Sequence, residues 1–207
     1  MEAQPALRLD HITKRFGKPV ANGDISIEAS PGEVVALLGE NGAGKTTLMN
    51  IIFGHYTADE GQVEVFGNVL PPGNPRAALN AGVGMVHQHF TLADNMTVPD
   101  NIILGTEPLC SLGFGRGQAR ARIMELAATY GLVVDMDARI SALSVGERQR
   151  VEILKAHDRD ARILLLDEPT AVLTPQEVTG LFEILRRAVA NSFAVIFNHI
   201  NCMKSWT

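Results

Sequence analysis

The segment 39–47, Gly-Glu-Asn-Gly-Ala-Gly-Lys-Thr-Thr, constrains the fold of this chain more than any other segment. It matches the phosphate-loop pattern G-x-x-x-x-G-K-[S/T] at each fixed position. The apolar run 34–38 before it is typical of a buried strand, and the apolar spacing of residues 47–53 after it predicts a helix that stops at Gly54. A strand, a glycine turn and a helix start direct backbone N–H groups at one point, so the segment predicts a polyphosphate site.

The residue types of this loop suit that role. Its glycines allow close wrapping and positive φ angles, the ammonium of Lys45 reaches the β- and γ-phosphates, and the hydroxyl of Thr46 can ligate Mg²⁺. Thr47 is expected to make a second phosphate contact. The candidate phosphate-binding residues are Gly39, Glu40, Asn41, Gly42, Ala43, Gly44, Lys45, Thr46 and Thr47. The alternative is a glycine-rich turn with an accidental lysine, and the flanking strand and helix argue against it.

The whole chain has the composition of a globular protein. Its 207 residues, 46% of them hydrophobic, suggest one domain or one core with an inserted subdomain. A net charge of −5 gives no indication of general affinity for nucleic acid. The two cysteines, Cys110 and Cys202, form no disulfide framework and suit a reducing cytosol. No apolar run approaches the roughly 20 residues that span a bilayer, and the N-terminus is no signal peptide, so we expect any membrane role to act through a partner.

Hydrophobic periodicity predicts alternating strands and helices. Beyond the loop, strands are predicted at 7–12, 25–29, 61–67, 82–87, 163–166 and 193–197, and helices at 118–130, 145–156 and 176–190. Residues 71–75 are predicted to form a loop. The pattern indicates an α/β core at about 1–90 and 160–207, with a helical subdomain inserted at about 91–159 and much of the sheet parallel.

A second motif places two carboxylates at the end of the buried strand 163–166. In a phosphate-loop fold, Asp167 would assist Mg²⁺ coordination, and Glu168 would orient or deprotonate the attacking water. Pro169 then ends the strand because it lacks an N–H donor. The alternative, solvated acids in a loop, loses weight beside the phosphate loop.

A third motif, Leu-Ser-Val-Gly-Glu-Arg-Gln-Arg at 143–150, starts a predicted helix. Ser144 is a good N-cap candidate and Gly146 allows close backbone approach. Alone, this motif indicates a capped helix with a basic face. Beside the other two motifs it resembles the signature of ABC-type ATPases, and the resemblance extends along the chain to about His199.

The resemblance implies a P-loop NTPase fold with a mostly parallel sheet, an antiparallel β subdomain and an inserted α-helical subdomain. It implies ATP and Mg²⁺ as ligands. Phe16 matches the aromatic residue that stacks on adenine, and Gln88 matches the glutamine that links Mg²⁺ and the γ-phosphate to the helical subdomain. His199 matches the switch histidine that contacts the γ-phosphate. Considered alone, Phe16 is better explained as a partly exposed strand-end aromatic, and a lone histidine is more often structural.

His87 and His89, which flank Gln88, are interpreted as packing and transmission residues, since no further metal ligands cluster nearby in the sequence. Four segments narrow the resemblance to one subtype of ABC-type ATPase: Ser-Val-Gly-Glu at 144–147, Val-Leu-Thr at 172–174, and the segments 86–90 and 151–155. These resemble the ATP-binding subunits of bacterial nucleoside importers, with simple-sugar importers as near neighbours. Such relatives usually carry two units in tandem, and this chain resembles the first.

The resemblance also implies partners. A second ATP-binding unit would pack head to tail, so that Ser144 and Gly146 hold the γ-phosphate of the partner's nucleotide. Membrane-spanning permease subunits would dock near residues 91–107, and a substrate-binding protein would act indirectly. The implied location is the cytoplasmic face of the bacterial inner membrane, with no nucleic acid partner.

Two alternatives remain open. The first is a soluble ABC-type ATPase that acts on ribosomes or DNA, although the negative charge and the lack of a long heptad run speak against it. The second is a truncated unit that binds nucleotide without full ATPase activity. Residues 200–207 do not resemble the continuation found in relatives, so the assignment of His199 has the least support.

Overall fold

Two sheets and six α-helices make up the described part of the chain, residues 4–88, 90–104 and 116–199 of a computed structural model. The strands are β1 (Leu7–Arg15), β2 (Val20–Ala29), β3 (Val34–Leu38), β4 (Glu60–Val65), β5 (Asn68–Val69), β6 (Val83–Val86), β7 (Ile163–Leu166) and β8 (Ala194–His199). The helices are α1 (Lys45–Phe53), α2 (Pro75–Asn80), α3 (Val98–Ile103), α4 (Arg116–Tyr130), α5 (Val145–Asp158) and α6 (Pro175–Ala190), with a 3₁₀ turn at Ile140–Ala142. His89, Cys110, the end of the predicted docking segment (105–107) and the terminal segment 200–207, which includes Cys202, lie outside the described residues.

The central sheet is parallel and has the strand order β3-β8-β7-β6. Its register aligns the strand ends, because Leu38 pairs with His199 and Leu166 pairs with both Phe197 and Val86. The carboxyl ends of parallel strands meet at one edge, where ligands bind in open α/β sheets. The segments that follow β3, β6 and β7 therefore leave the sheet close together.

Both faces of this sheet are buried, which explains the uninterrupted apolar run of β7. Ile163 and Leu165 belong to a core that α1 and the antiparallel sheet cover. Leu164 and Leu166 belong to the opposite core, with residues of α3 to α6. Alternate residues of a strand point to opposite faces, so a strand between two helical or sheet layers has to be apolar throughout.

The second sheet is antiparallel, with the order β2-β1-β4-β5. Its strand β1 contributes Leu7, Leu9 and Ile12 to the core shared with α1. The predicted parallel sheet, antiparallel sheet and helices are thus all present. No helix in the described ranges combines the length and the apolar character that crossing a membrane requires.

Helix ends follow local chemistry. Ser144 caps α5, as predicted, and it forms a reciprocal capping box with Glu147.

Helix α2 was not predicted from the sequence, because the glycine and proline residues at 71–75 indicated only a loop. In the structure Asn74 accepts a hydrogen bond from the Ala77 amide, and Pro75 occupies the first helical turn. An asparagine cap followed by proline is a helix-start signal that should have identified α2.

Candidate functional site

A cleft of about 170 Å³ opens at the carboxyl edge of the central sheet. Residues 41–47 line it together with Ala21 and Glu168. The predicted phosphate loop and one of the two predicted acids therefore face the same space, although 121 positions separate Thr47 from Glu168 in the sequence. The parallel topology causes this approach, since β3 leads into the loop and β7 leads into the acids.

The loop backbone requires glycine at two positions for different reasons. Gly42 has φ 84° and no neighbour within 4 Å of where a Cβ would lie. Gly44 has φ 79°, and a Cβ there would lie 2.0 Å from the carbonyl oxygen of Ala21. Gly44 is also the N-cap of α1, and it offers no side-chain cap. The first N–H groups of α1 are thus available to an anion in the cleft.

Lys45 is almost fully buried, and its ammonium donates to the carbonyl oxygens of Gly39 (2.7 Å) and Glu40 (2.8 Å). These bonds hold the ammonium against its own loop. An ammonium has three N–H donors, and within the described residues these two bonds leave one for a phosphate oxygen. The arrangement places a single positive charge beside the helix N-terminus.

Thr46 and Asp167 form the contact that joins the first and second motifs. The Thr46 hydroxyl donates to Oδ1 of Asp167 at 3.0 Å, and the Asp167 side chain is buried. A hydroxyl and a carboxylate oxygen in contact are hard donors of the kind that Mg²⁺ takes, and the remaining positions of the ion are commonly filled by water and phosphate. The residues present therefore fit a magnesium ion at this point.

Glu168 lies half-buried at the rim of the cleft, with a positive φ of 48°. Its Oε2 accepts a hydrogen bond from Nε2 of Gln88 at 3.1 Å. The segment that follows β7 is held at its first residue, because the amide of Asp167 donates to the carbonyl of Val86. Gln88 and Glu168 are therefore brought together by the pairing of β6 with β7.

Sequence reasoning missed Asn198, which is completely buried at the end of β8. Its Nδ2 donates to Oδ1 of Asp167 at 2.5 Å and lies 3.5 Å from Oγ1 of Thr46. Its Oδ1 accepts from the amide of Glu168. A polar residue at the end of an apolar run, directly before His199, was the signal in the sequence that could have found it.

Two other polar residues were missed. Asn22 donates from Nδ2 to the carbonyl of Gly44 at 3.2 Å, which ties β2 to the loop. Gln149 is buried in α5 and donates to the carbonyl of Pro169 at 2.9 Å. This bond connects the third motif to the segment after the acids. Asn22 carries no sequence signal. Gln149 belongs to the third motif, but its contact could not be predicted, because it depends on the packing of distant elements.

The third motif does not line the cleft. Ser144 is exposed, its amide donates to Glu147, and its hydroxyl accepts from the Glu147 amide. The buried Gly146 donates its amide to Oε1 of Glu177 at 3.2 Å. Hydrogen bonds from the Thr174 amide and hydroxyl hold the pKa of Glu177 below its ordinary value, and the Gly146 amide adds to them. The amide that the resemblance to ABC-type ATPases assigns to a partner's phosphate thus donates to a carboxylate of its own chain.

Phe16 follows β1 and is 48% exposed. Its ring packs edge-on against Tyr56, with 5.7 Å between ring centroids, and the ammonium of Lys14 lies 5.5 Å from the ring centre. It does not line the cleft. His199 ends β8, the strand that also carries Asn198, and its side chain lies outside the described atoms.

His87 has a packing environment. Its ring stacks on His55, with centroids 5.6 Å apart, and meets the edge of Phe53. Burial lowers the pKa of His87, and the charge of His55 lowers it further. Within the described ranges no three His, Cys, Asp or Glu side chains gather as a metal cluster.

Comparison with known proteins gives consistent similarities. Residues 23–171 match the family model described as ABC transporter. The nucleoside import ATP-binding protein NupA of Lactococcus lactis subsp. cremoris is 47% identical over 95% of this chain and 39% of its own length. The guanosine import ATP-binding protein NupO of Bacillus subtilis is 45% identical over 90% of this chain and 36% of its own. The ribose import ATP-binding protein RbsA 2 of Burkholderia cenocepacia is 46% identical over 92% of this chain and 38% of its own length. The chain thus spans about two fifths of the length of the curated relatives it matches.

Solved structures show the same fold. An ATP-binding cassette of an ABC transporter in its ADP conformation superposes with a TM-score of 0.84 at 26% identity, covering 96% of this chain and 82% of that chain. A nucleotide-free ATP-binding cassette gives a TM-score of 0.83 at 25% identity, covering 94% and 81%. The predicted P-loop NTPase fold class is therefore confirmed.

Proposed function

Because the chain belongs to the ABC transporter family of ATP-binding proteins, we propose that it binds and hydrolyses ATP to power an importer. One observation carries the proposal: hydrogen bonds link Thr46 to Asp167 and Gln88 to Glu168, beside a cleft that the phosphate loop and Glu168 line. Phosphoryl transfer requires positioning and charge neutralisation more than covalent chemistry, and these contacts position the groups that would supply both.

ATP would place its terminal phosphates on the loop 39–47. The amides at the start of α1 and the ammonium of Lys45 would neutralise phosphate charge, and Thr47 would add a hydroxyl donor. Phe16, exposed beside Tyr56, offers an aromatic face to the adenine. The triphosphate would lie in the cleft, and the base would lie on the side of the antiparallel sheet.

Thr46 and Asp167 would hold Mg²⁺, with Gln88 as a third oxygen ligand. When bound, the ion would supply positive charge to the phosphate oxygens. Glu168 would orient or deprotonate the attacking water, since its carboxylate is within hydrogen-bonding reach of Gln88 at the cleft rim. His199, at the end of β8, would contact the γ-phosphate, as its resemblance to the switch histidine of ABC-type ATPases implies.

A second ATP-binding unit would complete the site. Ser144 and Gly146 lie outside the cleft of their own chain, which fits a role toward the nucleotide of a partner. The Gly146 amide donates to Glu177, so a phosphate arriving from the partner would replace one anion by another. Such a head-to-tail arrangement predicts weak hydrolysis by one unit alone.

The partner in the membrane would be a permease, and this unit would lie on the cytoplasmic face of a bacterial cell membrane. A cavity of about 110 Å³ lies close to Gln88, and residues of β6 and α5 line it with His87, Thr91, Glu152 and Lys155 among them. Thr91 donates to the buried Glu152 through both its amide (2.6 Å) and its hydroxyl (2.9 Å). We assign a cytoplasmic segment of the permease to this cavity, because His87 adjoins Gln88 and so connects the cavity to Glu168.

The names of the relatives support a proposal for the cargo class. The similar proteins of Lactococcus, Bacillus and Burkholderia are named for import of nucleosides, guanosine and ribose. Ribose is a constituent of nucleosides, so these names share one chemical theme. We propose nucleosides or simple sugars as the cargo of the transporter that this unit powers, with a substrate-binding protein delivering them.

Two substitutions separate binding from hydrolysis. We expect Lys45→Ala to lower ATP affinity at least tenfold, and Glu168→Gln to retain affinity while phosphate release falls at least a hundredfold. Glu183→Gln, an exposed change on α6, is the matched control and should leave both unchanged. Nucleotide affinity is measured by fluorescence titration, and phosphate release is measured for the chain alone and mixed with a second ATP-binding unit.

Each outcome has a definite meaning. Stimulation of phosphate release only in the mixture supports the shared site. Nucleotide binding without hydrolysis in either sample indicates a unit that only binds nucleotide. Unchanged affinity in Lys45→Ala would refute the assignment of the phosphate loop.

A further inference from the structure

We propose that Asn198 is a positioning residue of the magnesium site, and that its amide sets how strongly Mg²⁺ strengthens nucleotide binding. The inference rests on the proposed function, since it assumes that Thr46 and Asp167 hold the ion. It concerns a residue that none of the three motifs contains.

The hydrogen bonds determine the orientation of the Asn198 amide. The backbone N–H of Glu168 can only donate, so the group that faces it must be the carbonyl Oδ1. The other end, Nδ2, then faces Asp167, which accepts. An asparagine serves both neighbours at once because it carries a donor and an acceptor on one rigid plane.

The contacts fix both acids. Oδ1 of Asp167 receives donors from Asn198 at 2.5 Å and from Thr46 at 3.0 Å, so the carboxylate cannot rotate without breaking a buried bond. Glu168 has a φ of 48°, a left-handed conformation that is unfavourable for a residue with a side chain. The bond from its amide to Asn198 stabilises that backbone and thereby the direction of the Glu168 carboxylate.

The burial of Asn198 makes this arrangement rigid. It is completely inaccessible to solvent, so water cannot replace a lost partner without entering the core. Groups that orient metal ligands from behind typically change metal affinity about 10- to 100-fold when removed. We therefore expect the loss of this amide to affect the ion more than the nucleotide.

The test is the ratio of nucleotide affinities measured with Mg²⁺ and with a chelator, using a fluorescent ATP analogue and the intact chain. Asn198→Ala should leave the affinity in chelator within about twofold and reduce the Mg²⁺-dependent gain about 10-fold or more. Asn198→Ser, whose hydroxyl cannot reach both neighbours, should show the same direction and decides the matter where the alanine variant does not fold.

Asn101 offers a matched control. It is also completely buried, lies in α3, makes three hydrogen bonds to Ala93 and Thr97, and does not line the cleft. Asn101→Ala should lower the free energy of unfolding and leave the Mg²⁺-dependent gain unchanged. An equal loss of the Mg²⁺-dependent gain in the Asn101 and Asn198 variants would refute the positioning role and indicate general destabilisation.

The two proposals fail separately. A wild-type chain whose nucleotide binding does not respond to Mg²⁺ would contradict the proposed function. A wild-type chain that responds, together with an Asn198→Ala variant that responds equally, would contradict only the role of Asn198.

Discussion

His157 makes folding stability depend on pH. It lies in α5, is 6% exposed, and its ring stacks on Tyr130 with centroids 4.0 Å apart and meets the edge of Phe193. Its Nε2 atom has no hydrogen-bond partner among the described residues. Burial without a partner disfavours the charged imidazolium and lowers the pKa of His157 from 6.5 to about 4.

Proton linkage gives the sign and the size of this pH dependence of the free energy of unfolding. Between pH 6.5 and 4 the unfolded chain binds a proton at His157 and the folded chain largely does not, so acidification favours unfolding. The contribution is fully present above pH 6.5 and is lost as the pH falls through the pKa of the folded state. A shift from 6.5 to about 4 predicts a loss of about 3 kcal/mol between pH 7 and pH 4, and about 2 kcal/mol between pH 7 and pH 5.

The substitution His157→Phe keeps the aromatic packing and removes the titration. Urea unfolding of the wild type and the variant at pH 7, 5 and 4 gives the free energy of unfolding for each. Carboxylates also titrate in this range, so the informative quantity is how much less stability the variant loses than the wild type. We expect that difference to be about 2 kcal/mol at pH 5 and about 3 kcal/mol at pH 4.

His11 provides the control, since its ring is exposed and the hydrogen bond that its Nδ1 donates to the Asp24 carboxylate raises its pKa. His11→Phe should not reduce the loss of stability in acid. If His157→Phe loses as much stability as the wild type between pH 7 and pH 5, burial does not keep this histidine neutral and the reasoning is wrong.

Two further predictions concern backbone geometry and capping. Gly44→Ala should lower the free energy of unfolding by about 2–5 kcal/mol, because the costs of the positive φ and of the collision with the β2 backbone add. Gly42→Ala, with similar φ and open space, should lower it by only about 1–2 kcal/mol in the same urea titration. Equal losses in the two variants would contradict the collision. Thr174→Ala should lower the free energy of unfolding by about 1–2 kcal/mol, because it removes a capping box at the start of α6. In thermal unfolding, Thr179→Ala, an exposed change on the same helix, should change the melting temperature little. A similar change of melting temperature in both variants would contradict the capping role.

Several features were readable from the sequence because short-range rules dictate them. The loop 39–47 combines glycines that accept positive φ with a helix start, and its strand and helix form where the pattern predicts. The capping of α5 by Ser144 depends on residues three positions apart. The apolar run 163–166 indicated a strand buried on both faces, and the two cores on either side of β7 confirm it.

Other features depended on where distant elements meet. The contact between Asn198 and Asp167 joins residues 31 positions apart, and that between Thr46 and Asp167 joins residues 121 apart. The bond between Gly146 and Glu177 likewise depends on how α5 packs against α6. No local pattern specifies such pairs, because they follow from the register and order of parallel strands.

The sequence by itself thus determined which residues can bind phosphate, ligate a cation or end a strand, since those properties belong to side chains and to local backbone conformation. The tertiary structure alone decided that Asn198 would be buried between the two acids and the loop. The physical reason is that four parallel strands end at one edge. Only their packing order places a polar residue of β8 between the phosphate loop that follows β3 and the acids that follow β7.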